Sequence, residues 1–165
     1  MKEITDYLGN NWKYDCMSCS IANGNLKLPG GLVFENNYLT IGADPEIPLN
    51  GFMVIATKRH INSISETTSQ ERYELIDYIS RTIKALKDLE IVKEVLIVQE
   101  ERSKHLHFWI FPCYEKYTSL FGRGIVGVND IIKYVKENVN KEEIQECLKT
   151  VEKLKEYFGG RKWKE

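Results

Sequence analysis

The sequence has no hydrophobic run near the length of about 20 residues that a membrane-spanning helix needs. It also has no excess of one charge, because 23 basic and 24 acidic residues give a net charge of −1. That balance argues against a general nucleic-acid-binding protein, which is usually basic. The first residues contain no apolar signal segment, so the expected location is the cytoplasm. Internal repeats and low-complexity segments are absent, and 165 residues fit a single domain with a real core.

Histidine is scarce, with three residues in the chain, yet two of them stand one residue apart in the strand-like run His-Leu-His-Phe-Trp-Ile-Phe-Pro at 105–112. Because side chains alternate along a β-strand, His105, His107 and Trp109 share one face, and the apolar residues between them take the other. A histidine fixed on a strand by one ring nitrogen can attack phosphorus with the other nitrogen. Alternatively, both histidines are metal ligands or satisfied polar residues on an exposed face.

Cysteine is also scarce, but two of the four cysteines, Cys16 and Cys19, are separated by only two residues. In a reducing compartment such a pair favours metal binding or redox chemistry over a structural disulfide. His60 and one of the two strand histidines can complete a closed Cys₂His₂ zinc site. Alternatively, the two cysteines are small buried residues. Cys113 and Cys147 are interpreted as core or incidental thiols.

The hydrophobic pattern predicts a single five-stranded antiparallel sheet. Short runs of β-branched and aromatic residues bounded by turn signals place the strands at 32–35, 38–41, 52–56, 95–98 and 105–111. Because the first strands are joined by short connections, the expected class is α+β with an antiparallel sheet. Residues 1–15 are expected to be irregular or weakly helical.

The helices are predicted from capping signals and apolar spacing. Thr68, followed by Glu71 three residues later, has the form of a capping box and predicts a long helix to about Asp88. Its buried face is expected to carry Ile76, Ile79, Ile83 and Leu86. The glycine-containing stretch 114–128 is expected to be a loop. Two helices are predicted after it, at 129–138 and 141–158, within a C-terminal helical extension over 115–165.

The run at 105–112 resembles the motif of the histidine triad (HIT) family, in which three histidines alternate with apolar residues. The resemblance extends to 34–36, to 44–48 and to the stretch from Gly51 through His60 to Ile64. The cysteine pair resembles the N-terminal pair of zinc-containing bacterial members. The resemblance covers about residues 14–114, which we take as a HIT-like core.

The family resemblance implies a function and a set of site residues. HIT proteins bind nucleotides and cleave at the α-phosphate through a covalent nucleotidyl-histidine, which assigns the nucleophile to His107. The residue that holds the ribose hydroxyls corresponds to Asp44. In the zinc-bearing branch the first motif histidine is a metal ligand. The implied zinc ligands are therefore Cys16, Cys19, His60 and His105.

The chain departs from the family motif at its third position, where Trp109 replaces histidine. Tryptophan donates one N–H bond but cannot transfer a proton to a leaving group. Phe52 also stands where the family usually has histidine. Arg102 and Ser103, together with Lys104, are expected to contact phosphate or else to form a solvated loop, and Trp109 is expected to contact the substrate.

Three functions remain open on the sequence. The first is a hydrolase or nucleotidyl transferase acting on a nucleotide substrate, for example a dinucleoside polyphosphate, through His107. The second is a zinc-stabilised nucleotide-binding protein with little or no turnover because of Trp109. The third is a zinc-stapled structural or interaction protein that uses the C-terminal helices. The family resemblance also implies a possible homodimer, and neither a nucleic acid nor a membrane is expected as a partner.

Overall fold

The computed structural model describes residues 1–160, which contain seven strands and five α-helices. The strands are β1 Lys2–Thr5, β2 Asn11–Tyr14, β3 Phe34–Glu35, β4 Leu39–Ala43, β5 Met53–Thr57, β6 Val95–Val98 and β7 His107–Pro112. The helices are α1 Met17–Ala22, α2 Ser69–Asp88, α3 Glu115–Phe121, α4 Ile125–Asn138 and α5 Lys141–Gly159. Within the described residues, no helix combines the length and apolarity that crossing a membrane requires.

The central sheet has five antiparallel strands in the order β3-β4-β5-β7-β6, which confirms the predicted α+β class. Strand β7 lies between β5 and β6 and is hydrogen-bonded on both sides, so the motif occupies a well-fixed position. The strand begins at His107, and His105 lies just before it. His105 is nevertheless almost completely buried, with 2% of its surface exposed.

Strand β7 contributes to two separate layers of the core because its side chains alternate between the faces of the sheet. Phe108 and Ile110 pack in the cluster that includes Leu75 and Ile79 of α2. Phe111 packs on the opposite face with residues of α3 and α4. His107 and Trp109 lie on that second face and are half-buried, which leaves them accessible from the side that the C-terminal helices do not cover.

Residues 1–15 differ from the expectation of an irregular or weakly helical segment, since they form the antiparallel hairpin β1–β2. The turn contains Gly9 in the left-handed region, with φ at +88°, a conformation that glycine adopts at little cost. The strands are only four residues each. Strands this short show only a brief alternation of apolar and polar residues. The prediction for residues 1–15 was therefore wrong because the sequence signal is weak there.

Helix α2 begins where the capping signal predicts. The Thr68 side chain accepts the Glu71 backbone N–H, and the Glu71 carboxylate accepts the Thr68 N–H. The buried face contains Leu75 and Ile79, but Ile76 is 65% exposed, contrary to the prediction. The helix carries two overlapping apolar stripes, and the sheet covers the one that includes Leu75.

The stretch 114–128 was predicted to be a loop, but the structure places α3 and the start of α4 there. Its glycines mark the close contact between these helices. A Cβ added to Gly127 would lie 2.2 Å from the carbonyl oxygen of Gly122, so only glycine fits. Tyr117 of α3 and Val128 of α4 are buried against Phe52 and Phe111. Residues 161–165 of the expected helical extension lie outside the described residues.

An ion pair between Arg59 and Glu71 fixes the segment that precedes His60. Arg59 donates to both carboxylate oxygens of Glu71 at 2.9 and 2.7 Å, and Glu71 is 5% exposed. This hydrogen-bonded pairing lowers the pKa of Glu71 to about 2. The N-terminus of α2 therefore helps to position His60 at the site described below.

Replacing Glu71 with glutamine keeps the capping geometry and removes the charge, so it isolates the ion pair. We expect the free energy of unfolding at pH 7 to fall by about 1–3 kcal/mol. Because the folded-state pKa lies below the ordinary value of 4.5, this stabilisation is complete above pH 4.5 and is lost as the pH falls towards 2. Urea titrations at several pH values test this, with the exposed Glu3→Gln as control. Equal acid sensitivity of wild type and Glu71→Gln would contradict the assignment.

Candidate functional site

Four candidate metal ligands from three separate segments meet at the end of the sheet. Cys16 precedes α1, Cys19 lies within it, His60 follows β5 and His105 precedes β7. The Cys16 Sγ lies 3.2 Å from Nδ1 of His105, and the Cys19 Sγ lies 3.2 Å from Nδ1 of His60. All four ligand atoms lie within 4.8 Å of one another. The cluster can therefore hold a single metal ion.

The chemistry of this donor set fits zinc. Zinc bonds of about 2.0–2.3 Å in a tetrahedron place neighbouring ligand atoms roughly 3.3–3.8 Å apart, close to the separations in the cluster. His105 donates its Nε2–H to the carbonyl oxygen of Thr57 at 2.7 Å, which leaves Nδ1 unprotonated and facing the cluster. Burial lowers the pKa of His105, which favours the neutral, ligating form. Burial, with a contribution from Cys16, raises the pKa of Cys19 to about 11, so binding of a cation would release a proton.

Helix α1, which carries Cys19, has little packing of its own. None of its six residues is buried, and no side chain caps its N-terminus. Its nearby backbone bonds, such as Ser20 N–H to Cys16 O, are local. A metal would link this weakly packed helix to the ends of β5 and β7.

His107 is oriented by its own strand. Its Nδ1 lies 2.9 Å from the carbonyl oxygen of His105. A carbonyl only accepts, so Nδ1 carries the proton and Nε2 carries the lone pair. No hydrogen bond occupies Nε2 among residues 1–160. The ring therefore presents an unprotonated nitrogen in the arrangement that nucleophilic attack requires.

The turn that leads into β7 contributes polar groups beside His107. The Ser103 hydroxyl donates to the carbonyl oxygen of His105 at 3.0 Å and lies 3.2 Å from Nδ1 of His107. Lys104 adopts a left-handed conformation, with φ at +63°, which is uncommon for a residue with a Cβ. Arg102 is largely exposed and pairs with Glu100 at 3.2 Å. The turn thus places two cations at the mouth of the site.

Asp44 lies in the loop after β4 and offers a carboxylate to the same site. Its Oδ1 accepts the backbone N–H groups of Glu46 at 2.8 Å and of Ile47 at 3.0 Å. Burial nevertheless raises the pKa of Asp44 to about 6. Because a pKa of about 6 still lies below neutral pH, the carboxylate is mostly ionised there, and its Oδ2 has no hydrogen bond among the described residues. It can accept hydroxyl groups from a ligand.

The Trp109 side chain packs against the core and also lines the site. Its ring packs edge-on against Phe52 with a centroid separation of 5.3 Å, and Phe52 packs in the same way on Phe111. The centroid of the His107 ring lies 6.3 Å from that of Trp109. Positions 52 and 109, two of those at which the chain differs from the family pattern that it resembles, are thus in direct contact.

A cavity of about 470 Å³ connects these groups. The sequence-predicted site residues that line it are Cys16, Asp44, His60, Arg102, Ser103, Lys104, His105, His107 and Trp109, while Cys19 belongs to the candidate metal cluster without lining the cavity. Lys2 and Tyr14 of the hairpin also line it, and these residues were missed by the sequence reasoning. Trp12 and Tyr14 alternate with polar neighbours, but over a four-residue strand this signal is too weak to identify them.

No family model matches the chain. A curated relative, an uncharacterised HIT-like protein of Methanocaldococcus jannaschii, is 25% identical over 140 residues, which cover 81% of this chain and 98% of the relative. A hypothetical histidine triad nucleotide-binding protein from Sulfolobus tokodaii is similar in structure, with a TM-score of 0.59 and 22% identity over 90% of this chain and 100% of that one. A zinc-bound histidine triad family protein from Mycobacterium smegmatis matches with a TM-score of 0.58 and 13% identity, over 87% of this chain and 97% of that one.

These comparisons agree with the geometry. The solved structures share the fold of the sheet and its helices, and the curated relative spans nearly its whole length in the alignment. The motif stands on a central strand, beside a cavity and a Cys–His cluster. By fold, by motif and by its sequence relative, the chain is similar to proteins of the histidine triad superfamily.

Proposed function

We propose that this protein binds a nucleotide and cleaves it at the α-phosphate, as a hydrolase or nucleotidyl transferase that uses His107 as the nucleophile. The observation that carries the proposal is the 2.9 Å contact between Nδ1 of His107 and the carbonyl oxygen of His105, because it leaves Nε2 free for attack. The cavity of about 470 Å³ beside this ring supplies the room for a nucleotide. The names of two structural neighbours, which describe a nucleotide-binding protein and a HIT family hydrolase, agree with this class.

In the first step the Nε2 lone pair of His107 forms a bond to the α-phosphorus. The bond from phosphorus to the leaving oxygen breaks, and its electron pair departs with the leaving group. The phosphorylated ring keeps its proton on Nδ1 and carries a positive charge, which the His105 carbonyl stabilises from 2.9 Å. In the second step a water or another acceptor attacks the phosphorus and loses a proton to solvent. The electron pair of the phosphorus–nitrogen bond then returns to Nε2.

Other residues bind and orient the substrate in this proposal. Asp44 accepts the ribose hydroxyls, since its carboxylate lines the cavity and is ionised at neutral pH. Arg102, Ser103 and Lys104 contact the phosphates from the turn before β7. Zinc bound by Cys16, Cys19, His60 and His105 would stabilise the fold, and it would hold His105 in the position from which its carbonyl orients His107.

A second candidate function is supported by the packing of Trp109. Its ring fills the third motif position and contacts Phe52, so no proton donor stands there. A protein of this kind would bind nucleotide and turn it over poorly or not at all. The two functions share the pocket and differ in whether a covalent intermediate forms on His107.

Trapping a covalent intermediate on His107 distinguishes the two candidate functions. The wild-type protein is incubated with a dinucleoside polyphosphate labelled at the α-phosphorus and quenched in alkali, in which a phosphorus–nitrogen bond survives. We expect label on the protein that acid removes, and none on His107→Asn, whose binding of nucleotide is measured in parallel by calorimetry. Nucleotide binding without any label on the wild type would contradict the catalytic proposal and favour the binding protein.

A further inference from the structure

Hairpin β1–β2 has one face directed at the cavity and one directed at solvent. Lys2 and Tyr14 are direct cross-strand partners, so their side chains share a face, and both line the cavity. Trp12 lies two residues before Tyr14 on that same face, and both rings are half-buried. Glu3 and Lys13 form an exposed ion pair at 2.8 Å on the opposite face. The hairpin therefore forms one side of the cavity.

Hydrogen bonds fix the hairpin next to the loop that carries Asp44. Asp6 is 4% exposed and accepts the indole N–H of Trp12 at 2.9 Å together with two backbone N–H groups of its own turn. The backbone N–H of Tyr7 donates to the carbonyl oxygen of Pro45 at 3.0 Å. The position of Tyr14 relative to Asp44 is thus set by the fold.

The two aromatic side chains Tyr14 and Trp109 line the cavity at different places. Trp109 neighbours His107, where the phosphorus would lie. Tyr14 and Asp44 line the same cavity, and the hairpin that carries Tyr14 is hydrogen-bonded to Pro45, the residue that follows Asp44. In a nucleotide the base is attached to the ribose carbon adjacent to the one that bears the 2′-hydroxyl. A nucleotide whose ribose is held by Asp44 therefore has its base within reach of Tyr14.

We propose that the ring of Tyr14 stacks on the nucleobase, so that the N-terminal hairpin forms part of the base-binding end of the pocket. Met17, Ile21 and Leu28 line the same cavity and supply apolar surface suited to a planar ring. Because every base has a π face, stacking tolerates different bases. The proposal rests on the proposed nucleotide-binding function and adds a base-contacting residue to it.

Calorimetric titration of the purified full-length protein with AMP, CMP and ribose 5-phosphate tests the inference. Loss of a stacked ring typically weakens binding by about 1–3 kcal/mol, or about 5- to 150-fold. Tyr14→Ala is therefore expected to raise the Kd for both nucleotides at least about fivefold and to leave the Kd for ribose 5-phosphate within twofold. Tyr14→Phe keeps the ring and is expected to lose less affinity than Tyr14→Ala. Lys13→Ala, on the outer face of the same strand, is the control and is expected to bind as the wild type does.

The outcomes separate this inference from the proposed function. Failure of the wild type to bind any nucleotide would overturn the proposed function and this inference with it. Nucleotide binding by a folded Tyr14→Ala variant with wild-type affinity would overturn the inference alone. An equal loss of nucleotide and ribose 5-phosphate affinity would also overturn it, since it would mean that the ring only supports the shape of the pocket. If ribose 5-phosphate binds too weakly to measure, equal losses for Tyr14→Phe and Tyr14→Ala would overturn it.

Discussion

Replacing Cys19 with alanine is expected to abolish stoichiometric zinc and to lower the free energy of unfolding by about 4 kcal/mol when free zinc stands at 1,000 times the wild-type dissociation constant. The expectation follows from the four converging ligand atoms, which lie within 4.8 Å of one another. Without the Cys19 sulfur, three candidate ligands remain, one fewer than the four that structural zinc sites use. Metal analysis and thermal unfolding with and without a chelator measure both effects.

The matched control for this variant is Cys113→Ala. Cys113 is also half-buried and unpaired, but it lies outside the cluster. The Cys113→Ala variant is expected to bind zinc as the wild type does and to show the same sensitivity of its unfolding temperature to a chelator. Wild-type protein that carries no zinc, and whose unfolding temperature responds to neither zinc nor chelator, would refute the proposed metal site.

Zinc removal is also expected to weaken nucleotide binding. Met17 and Ile21 of α1 line the cavity, and α1 has no buried residue to hold it when the cluster is broken. Binding linkage is reciprocal, so nucleotide should raise the affinity for zinc by the same factor by which zinc raises the affinity for nucleotide. Titrations of each ligand in the presence and absence of the other check this equality.

The second large effect is expected in the choice of leaving group. General acid catalysis is typically worth 10²–10⁴ in rate, and the third motif position holds a tryptophan that cannot supply it. A phosphate leaving group departs as a weakly basic anion without a proton, whereas an amine does not. We therefore expect kcat/KM for a phosphoanhydride substrate to exceed that for the matching nucleoside phosphoramidate by about 10²-fold or more.

Trp109→His tests the cause of this preference. The substituted imidazole can donate a proton, so cleavage of the phosphoramidate is expected to rise more than cleavage of the anhydride. Trp109→Phe is the control, since it keeps an aromatic ring against Phe52 and adds no proton donor. A wild-type protein that cleaves both substrates at similar rates would show that another group protonates the leaving atom.

The sequence predicted the fold where the local signals were strong. The capping box at Thr68 placed the start of α2 at the observed residue. The glycines at 122 and 127 led to a wrong prediction because glycine marks both loops and close helix contacts, and only the neighbouring backbone distinguishes the two cases. In α2, Leu75 and Ile76 are both apolar, and only the position of the sheet decides that Leu75 is buried and Ile76 exposed.

The candidate site was predicted chiefly through family resemblance. Cys16, Asp44, His60 and His107 are far apart in sequence, and periodicity says nothing about which of them meet. The roles assigned to them remain predictions for the experiments above. Tyr14 was missed because the resemblance begins at about its position and because two four-residue strands give little pattern to detect.

The order of the ligands along the chain has a consequence for biosynthesis. Cys16 and Cys19 leave the ribosome early, but the fourth ligand, His105, is made 89 residues after the first. Strand β7 follows directly and must insert between β5 and β6. Closing such long loops is entropically costly and slow. During synthesis, therefore, the four candidate ligands can come together only after His105 has been made, immediately before the strand that completes the centre of the sheet.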